Sequence, residues 1–298
     1  MQHLLAASRE SLAKQAQLLR IASVKLADSL KAGTFRSLYR GQGIEFSGVR
    51  EYLRGDDVRA IDWNVTARMG KTFVKLFEEE HELQIFLVVD RSFSMFTGSG
   101  KKLRYETAAE TAALITIAAE VNTSSVGAVI FDGEICFSCS PESGRSRTML
   151  LLTKLDEVEN AGCAGSALAN ALSGAGRLLK QRSLVFVLSD FRCSSWIDPL
   201  ASLSQKHDVV AVRITDPMDD ELPEMGTVPF TDSETEIRLV LPTLSSSFRN
   251  AWRTENRNNQ ANWQEQCIKH GVLPLVVGTD EDPARVLSNF FARRGQSA

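Results

Sequence analysis

The residues with the clearest chemical potential form one short loop, Asp90-Arg91-Ser92-Phe93-Ser94, directly after the apolar run LQIFLVV. The first, third and fifth residues supply a carboxylate and two hydroxyls that can point into one concave site, while Arg91 and Phe93 point away. All three groups are hard oxygen ligands, which favour Mg²⁺, Mn²⁺ or Ca²⁺ over softer metals. The loop therefore predicts a divalent-cation site, with Mg²⁺ as the leading candidate.

Two other residues, which come later in the chain, complete the predicted site. Asp190 follows a second apolar run, SLVFVLS, and Ser166 opens the helical segment GSALANAL. We expect Asp90 and Asp190 to hold the ion, mostly through water. Hydroxyls come from Ser92, Ser94 and Ser166. Two carboxylates against a dication leave room for one more anionic ligand, so the ion is expected to bind an acidic residue of a partner protein.

Alternating strands and helices must position these residues. Five apolar runs are typical of short strands that are covered on both faces, and helical segments separate most of them. These runs are LQIFLVVD, SVGAVIFDG, SLVFVLSD, DVVAVRIT and VLPLVVG. PFTDSETEIRLVL is typical of a hairpin. This order predicts an α/β fold with a doubly wound, mainly parallel sheet. Ligands of such sheets bind at the C-terminal ends of the strands, where Asp90 and Asp190 are expected.

The chain divides into three predicted parts. Residues 1–33 carry a helix, because apolar residues recur at helical spacing before Gly33. Residues 34–80 are short runs broken by glycines, which indicates a small β-rich unit. The α/β domain occupies residues 81–298.

The small unit is rich in charges of both signs. We expect them mainly to form internal salt bridges, with Trp63 in the core. The alternative is an interface for a partner protein or between copies, and its candidate residues are Arg50, Arg54, Asp57 and Arg59.

Composition restricts the class of protein. The chain has 298 residues, a formal net charge of -3 and 43% hydrophobic residues, so no basic surplus favours nucleic acid or an anionic membrane as the main partner. Its apolar runs are far shorter than the roughly 20 residues of a spanning helix. The N-terminus lacks a signal-peptide core, and five cysteines fit free thiols, so we expect a cytoplasmic protein. Cys136 and Cys139 form a CxxC pattern, but no second pair of Cys or His lies at the spacing of a zinc site, so we expect these cysteines to be structural.

The predicted ligands resemble a known pattern. DRSFSM after an apolar strand, with Ser166 and Asp190 downstream, is similar to the metal-ion-dependent adhesion site (MIDAS) of von Willebrand factor A (vWA) domains, which have DxSxS, then Thr, then Asp. Ser166 stands where that pattern has Thr, and it keeps the hydroxyl but lacks the β-methyl that limits χ1. The resemblance implies a vWA-like, Rossmann-like domain that binds proteins through its metal and is not an enzyme.

A second resemblance concerns the stretch GQGIEFSGVREYLRGDDVRAIDWNVTAR, residues 41–68, and the ending SNFFARRG. Both are similar to the bacterial and archaeal domain of unknown function 58 (DUF58) family. This resemblance implies a MoxR-type AAA+ ATPase as partner, with the two proteins acting in chaperone-like assembly or maturation of complexes.

Two other interpretations stay open. The serines of the Asp90 loop could simply cap the following helix. Alternatively, Asp90 could serve a Mg²⁺-dependent phosphohydrolase, but phosphatases of that kind need a second Asp where this chain has Ser92. They also need a Lys near the later acidic motif, where the nearby cation is Arg192. No GxSxG motif is present, so we expect a protein without catalytic activity.

Overall fold

A computed structural model of the chain describes residues 42–78, 83–100, 102–157, 167–224, 227–231 and 238–295. The predicted helix of residues 1–33, the ligand Ser166 and the boundary between residues 80 and 81 lie outside these ranges. They stay predictions.

Ten strands are described. They are β1 Gln42–Glu51, β2 Phe73–Glu78, β3 Gln84–Asp90, β4 Ser125–Phe131, β5 Ile135–Glu142, β6 Leu184–Ser189, β7 Asp208–Thr215, β8 Thr227–Thr231, β9 Arg238–Pro242 and β10 Leu273–Gly278.

Eight α-helices lie within the same ranges. They are α1 Trp63–Met69, α2 Arg104–Val121, α3 Arg145–Asp156, α4 Leu168–Leu178, α5 Ile197–Ser204, α6 Pro217–Asp220, α7 Ser246–Lys269 and α8 Pro283–Gly295.

Six strands form the central sheet in the order β10-β7-β6-β3-β4-β5, and all are parallel except β5, which runs antiparallel to β4. The strand order reverses between β3 and β6: later strands are added on one side and β4 and β5 on the other. This reversal is the switch point at which α/β sheets of this kind leave a crevice for ligands. The predicted fold class, a mainly parallel α/β sheet, is confirmed.

Both faces of the sheet are buried, which explains the continuous apolar runs. Alternate residues of β3 enter two different cores: Ile85, Leu87 and Val89 face α2, α3 and α8. Phe86 and Val88 face α4, α5 and α7. Helices on both sides therefore hold the strands, and their C-terminal ends, in fixed register.

The small unit is a separate antiparallel pair, β1 with β2, to which a 3-10 turn at Val58–Ala60 and the helix α1 are added. Ile61 extends the pair by one isolated bridge to Val74. The helix α1 was not predicted. The prediction that Trp63 is a core residue was wrong, because the first residue of α1 exposes most of its side chain.

The predicted hairpin is confirmed as β8 paired antiparallel with β9. The strand β5 places Cys136 on its exposed side and Cys139 on the side that packs on the core. Because residues three positions apart on a strand point to opposite faces, these two thiols do not converge on a metal or a disulfide.

Gly127 permits the close packing of β4 on β5. A Cβ at this position would lie 2.6 Å from the Pro141 nitrogen and 2.8 Å from the Cys139 carbonyl oxygen, both backbone atoms. We expect Gly127→Ala to lower the free energy of unfolding by about 1–3 kcal/mol, measured by urea denaturation.

The matched control is Gly174→Ala in α4, where the added methyl would meet only a side chain at 3.7 Å. This variant should gain stability, because Ala is favoured over Gly in helices by about 0.5–1 kcal/mol. Equal effects of the two substitutions would contradict the packing assigned to Gly127.

Candidate metal site

The two predicted aspartates emerge side by side at the switch point. Asp90 is the last residue of β3 and Asp190 directly follows β6, and the two strands pair in register from Ile85 opposite Leu184 to Val89 opposite Leu188. Both carboxylates are buried, with 1% and 3% of their surfaces exposed. The sheet therefore brings two acidic groups from distant parts of the chain to one place.

Asp90 is held by two hydrogen bonds. Its Oδ1 accepts from the backbone amide of Ser92 at 2.8 Å, and its Oδ2 accepts from the Ser189 hydroxyl at 2.5 Å. The same hydroxyl accepts from the Phe191 amide at 3.0 Å. Ser189 thus ties the Asp90 carboxylate to the loop that carries Asp190. Sequence reasoning missed Ser189, although a serine ending a fully buried strand needs a partner.

The serines of the loop face each other. The Oγ atoms of Ser92 and Ser94 are 3.2 Å apart and buried, and the 3-10 turn Phe93–Phe96 fixes their spacing. Ser92 makes no side-chain capping bond to this turn, which disfavours the simple capping interpretation. Arg91 and Phe93 point away, as predicted: the Arg91 guanidinium donates to the carbonyl of Glu157 and Phe93 is exposed.

An aromatic cluster anchors the Asp190 loop. Phe191 has a left-handed backbone (φ 54°), and its ring packs between Trp196 and Trp263 at centroid distances of 5.3 and 5.4 Å. Few non-glycine residues adopt this conformation unless surrounding packing imposes it. The loop is therefore built to hold Asp190 in one orientation.

One oxygen of Asp190 is left without a hydrogen bond. Its Oδ1 accepts from the Arg192 amide at 3.1 Å, but the buried Oδ2 has no hydrogen-bond partner within the described part of the chain. The Arg192 Nε is 4.0 Å from that oxygen, and its guanidinium bonds to Asp219. Buried carboxylate oxygens are rarely left without a hydrogen bond, so this atom is available to a ligand.

The neighbourhood makes Asp90 hard to ionise. Burial, reinforced by the negative charge of Asp190, raises the pKa of Asp90 to about 7, although hydrogen bonds from Ser189 and Ser92 oppose the rise. A divalent cation between the carboxylates would remove this conflict, because opposite charge favours the ionised form.

The donor set fits a hard cation. Asp90, Asp190, Ser92 and Ser94 offer only oxygen, and no group of three or more His, Cys, Asp or Glu side chains suited to a metal occurs in the part that the structure describes. A site here would depend on hydroxyls, on few carboxylates and on water, which is the manner in which proteins bind Mg²⁺.

A second polar cluster lies at the same edge of the sheet and was not predicted. Asp216 follows β7 and accepts hydrogen bonds from Ser99, Met218 and Thr279. Both of its carboxylate oxygens are thereby satisfied, in contrast to those of Asp190.

The predicted partner-binding residues lie on the small unit. Arg50 forms a bidentate pair with Asp56 at 2.7 Å, as the internal salt-bridge interpretation predicted. Asp57 accepts from the Arg59 amide and caps the 3-10 turn. The side chains of Arg54 and Arg59 have no carboxylate partner among the residues described.

A family model for the "protein of unknown function DUF58" matches residues 48–262. The chain belongs to the DUF58 family. This confirms the resemblance seen in residues 41–68.

Its relatives include uncharacterized proteins of Mycobacterium bovis and Mycobacterium tuberculosis, each 30% identical over 277 residues and matched over 91% of this chain and 86% of theirs. Among solved structures, an aerotolerance-related membrane protein from Bacteroides fragilis superposes on this DUF58 protein with a TM-score of 0.51. That match has 17% identity and covers 72% of this chain and 100% of the other. At this identity the likeness concerns the fold alone. Within the described ranges, no helix has the length and hydropathy to cross a bilayer.

The raised pKa of Asp90 makes the stability of the metal-free chain depend on pH. Because the folded state holds the proton more tightly than the unfolded chain, stability is lost as pH rises from about 4 to about 7. The whole shift corresponds to at most about 4 kcal/mol. In chelator, we expect Asp90→Asn to become more stable than the unsubstituted chain as pH rises, measured by urea denaturation.

Asp216→Asn is the control, because the stability contributed by Asp216 is expected to change with pH in the opposite direction. Against the effect of burial, hydrogen bonds led by that from Ser99 hold the pKa of Asp216 below its ordinary value. Its carboxylate therefore stabilises the fold at neutral pH, and that contribution is lost in acid. A stability difference between Asp90→Asn and the unsubstituted chain that stays constant with pH would contradict the assigned environment.

Proposed function

We propose that this DUF58 protein is a non-catalytic, metal-dependent protein-binding module. Asp90 and Asp190 hold a divalent cation, most favourably Mg²⁺, and Ser92, Ser94 and Ser166 supply hydroxyls. The bound ion would supply a Lewis-acidic contact for an acidic residue of a partner protein. The observation that carries the proposal is the pair of buried carboxylates at the switch point, one of them with an oxygen that has no hydrogen bond to any described residue.

The charges at the site support a ligand from outside. Two carboxylates neutralise a dication only when both are ionised, and each is already tied to a backbone amide through one oxygen. Hydroxyl ligands add no charge. Because the aspartates would hold the ion mostly through water, the ion would remain electrophilic enough to attract a further carboxylate.

The vWA resemblance of the DxSxS loop supports an adhesion site, and the DUF58 resemblance supports a MoxR-type AAA+ ATPase as partner. In this proposal the two proteins act in the cytoplasm in assembly or maturation of complexes. Neither partner nor compartment follows from the geometry.

The phosphohydrolase alternative is weaker. Ser92 stands where that chemistry needs a second Asp, and the nearby cation Arg192 directs its guanidinium to Asp219 rather than toward an incoming phosphate.

Calorimetric titration with Mg²⁺ and Mn²⁺ tests the cation site. We expect one ion per chain, with affinity lost in Asp90→Ala and reduced in Ser94→Ala, because these variants remove a charged and a neutral ligand. Asp216→Asn is a matched control, since it changes a buried strand-end aspartate outside the pair. Unchanged stoichiometric binding in Asp90→Ala would defeat the assignment. Hydrolysis of a phosphomonoester by the unsubstituted chain, lost in Asp90→Ala, would instead favour an enzyme.

The partner is tested with the purified MoxR-type ATPase of the same organism. We expect it to bind the immobilised chain in Mg²⁺, and to bind more weakly in chelator or to Asp190→Ala. Biolayer interferometry measures both effects. Binding of equal strength in chelator would show that the interface does not use the ion.

A further inference from the structure

Arg192 lies beside the free oxygen of Asp190 without a hydrogen bond to it. Its backbone amide donates to Asp190 Oδ1 at 3.1 Å, and its side-chain Nε lies 4.0 Å from Asp190 Oδ2. A charge-assisted N–H···O bond has a length of about 2.7–2.9 Å, so a shift of roughly 1 Å would give this buried oxygen a strong partner within its own loop.

Such a bond would close the candidate cation site. Arg192 comes two residues after Asp190, so the two side chains can meet without any rearrangement of the sheet. The guanidinium would neutralise the carboxylate and would occupy the oxygen that a cation needs, so it would compete with the ion. The distance between the two groups therefore indicates that another contact holds the arginine away.

Asp219 makes that contact. The Arg192 Nη2 donates to Asp219 Oδ1. Both oxygens of this carboxylate have further partners: Oδ1 accepts from the Arg104 Nη2 at 2.7 Å, and Oδ2 accepts from the Asp216 amide at 2.9 Å. The Asp219 carboxylate therefore has a fixed orientation, in which it binds the arginine of the Asp190 loop.

The position of Asp219 is set by its own turn. It is the third residue of α6, which starts at Pro217, and it forms a capping box with Asp216. The proline fixes φ, and the capping bonds orient the carboxylate independently of Arg192. Because this turn follows β7, and β7 lies next to β6, the carboxylate is placed beside the loop that follows β6.

Arg104 ties the same carboxylate to the serine loop. Its side chain is buried, and its Nη1 donates to the Thr97 hydroxyl. That hydroxyl in turn donates to the Ser94 carbonyl at 2.6 Å. Asp219 is thereby anchored to the loop of Ser94 on one side, while it holds Arg192 on the other.

We propose that Asp219 is a positioning residue of the cation site, which holds the Arg192 guanidinium away from Asp190 Oδ2 and so keeps that oxygen free for a divalent cation. This inference rests on the proposed cation site. It adds a residue that makes no hydrogen bond to any predicted ligand among the described residues. Without the Asp219 carboxylate, Arg192 would pair with Asp190, and a cation could bind only after that pair had broken.

Calorimetric titration of the full chain with Mn²⁺ tests this role. We expect Asp219→Asn to raise the dissociation constant at least roughly tenfold, the factor of one hydrogen bond between charged groups. Arg192→Gln alone should lower the dissociation constant by less than about fivefold, because it removes one exposed like charge.

The double variant separates a restraint from a simple charge effect. If Asp219 acted only through its charge, Arg192→Gln would raise the affinity by the same factor with and without Asp219→Asn. The restraint predicts a gain of at least roughly tenfold in the Asp219→Asn background, which returns the affinity to that of the unsubstituted chain to within about fivefold. Equal factors in the two backgrounds overturn the inference.

The matched controls are Asp208→Asn and Arg182→Gln. These two residues form the same type of ion pair, at 2.8 Å, but Asp208 begins β7 and so lies at the opposite edge of the sheet. Their side chains are 15% and 47% exposed, against 17% for Asp219 and 42% for Arg192. Both controls should bind Mn²⁺ like the unsubstituted chain, and the thermal midpoint of every variant establishes that it is folded.

A crystal structure of Asp219→Asn in chelator tests the restraint without any cation. The Arg192 guanidinium should donate to Asp190 Oδ2, and a guanidinium that stays unbonded to this oxygen would overturn the inference. If Asp219→Asn does not fold, Arg192→Gln alone decides. A fall in affinity would make Arg192 a support of the site, and a gain above roughly tenfold would show that it already competes there; either result contradicts the role of Asp219.

The outcomes also separate this inference from the cation site. Normal Mn²⁺ affinity in Asp219→Asn, with affinity lost in Asp90→Ala, overturns the role of Asp219 and leaves the cation site standing. Absence of Mn²⁺ binding by the unsubstituted chain overturns the cation site and, with it, the role of Asp219 there.

Discussion

The site depends on two carboxylates being forced together at the point where the strand order of the sheet reverses. Asp90 and Asp190 are 100 residues apart in the chain, yet β3 and β6 pair in register and deliver both side chains to one buried place. Burial of the Asp90 carboxylate, reinforced by the charge of Asp190, opposes ionisation and raises the pKa of Asp90 to about 7. Two packed cores, one on each face of the sheet, provide the stabilisation that holds the pair.

The residues around Asp90 and Asp190 hold the two carboxylates in place and leave the pair open to a ligand. The Ser189 hydroxyl binds one oxygen of Asp90 and also receives the Phe191 amide, so one side chain connects both loops. The packing of Phe191 between two tryptophans fixes the turn that follows Asp190. One carboxylate oxygen of Asp190 has no hydrogen-bond partner among the described residues, and the Ser92 and Ser94 hydroxyls, which bond to each other, lie in the same loop region as further hard donors.

Much of this could be predicted from sequence because local patterns carried it. Apolar runs of strand length, separated by helical segments, were sufficient to predict the α/β fold. The position of an aspartate directly after such a run was sufficient to select Asp90 and Asp190 as candidate site residues. Ser189 and Asp216 were missed, since their importance arises from contacts with residues far along the chain. Trp63 was misassigned because hydrophobicity alone predicts burial, while the small unit has too little interior to enclose so large a ring.

The central claim is that hard oxygen donors from separate loops share one cation. Anomalous X-ray scattering from crystals equilibrated with Mn²⁺ locates the ion directly. The account expects a single strong peak between the Asp90, Ser94 and Asp190 side chains, within coordination distance of the serine hydroxyls. A strong peak elsewhere, or none at this place when Mn²⁺ is saturating, would contradict it.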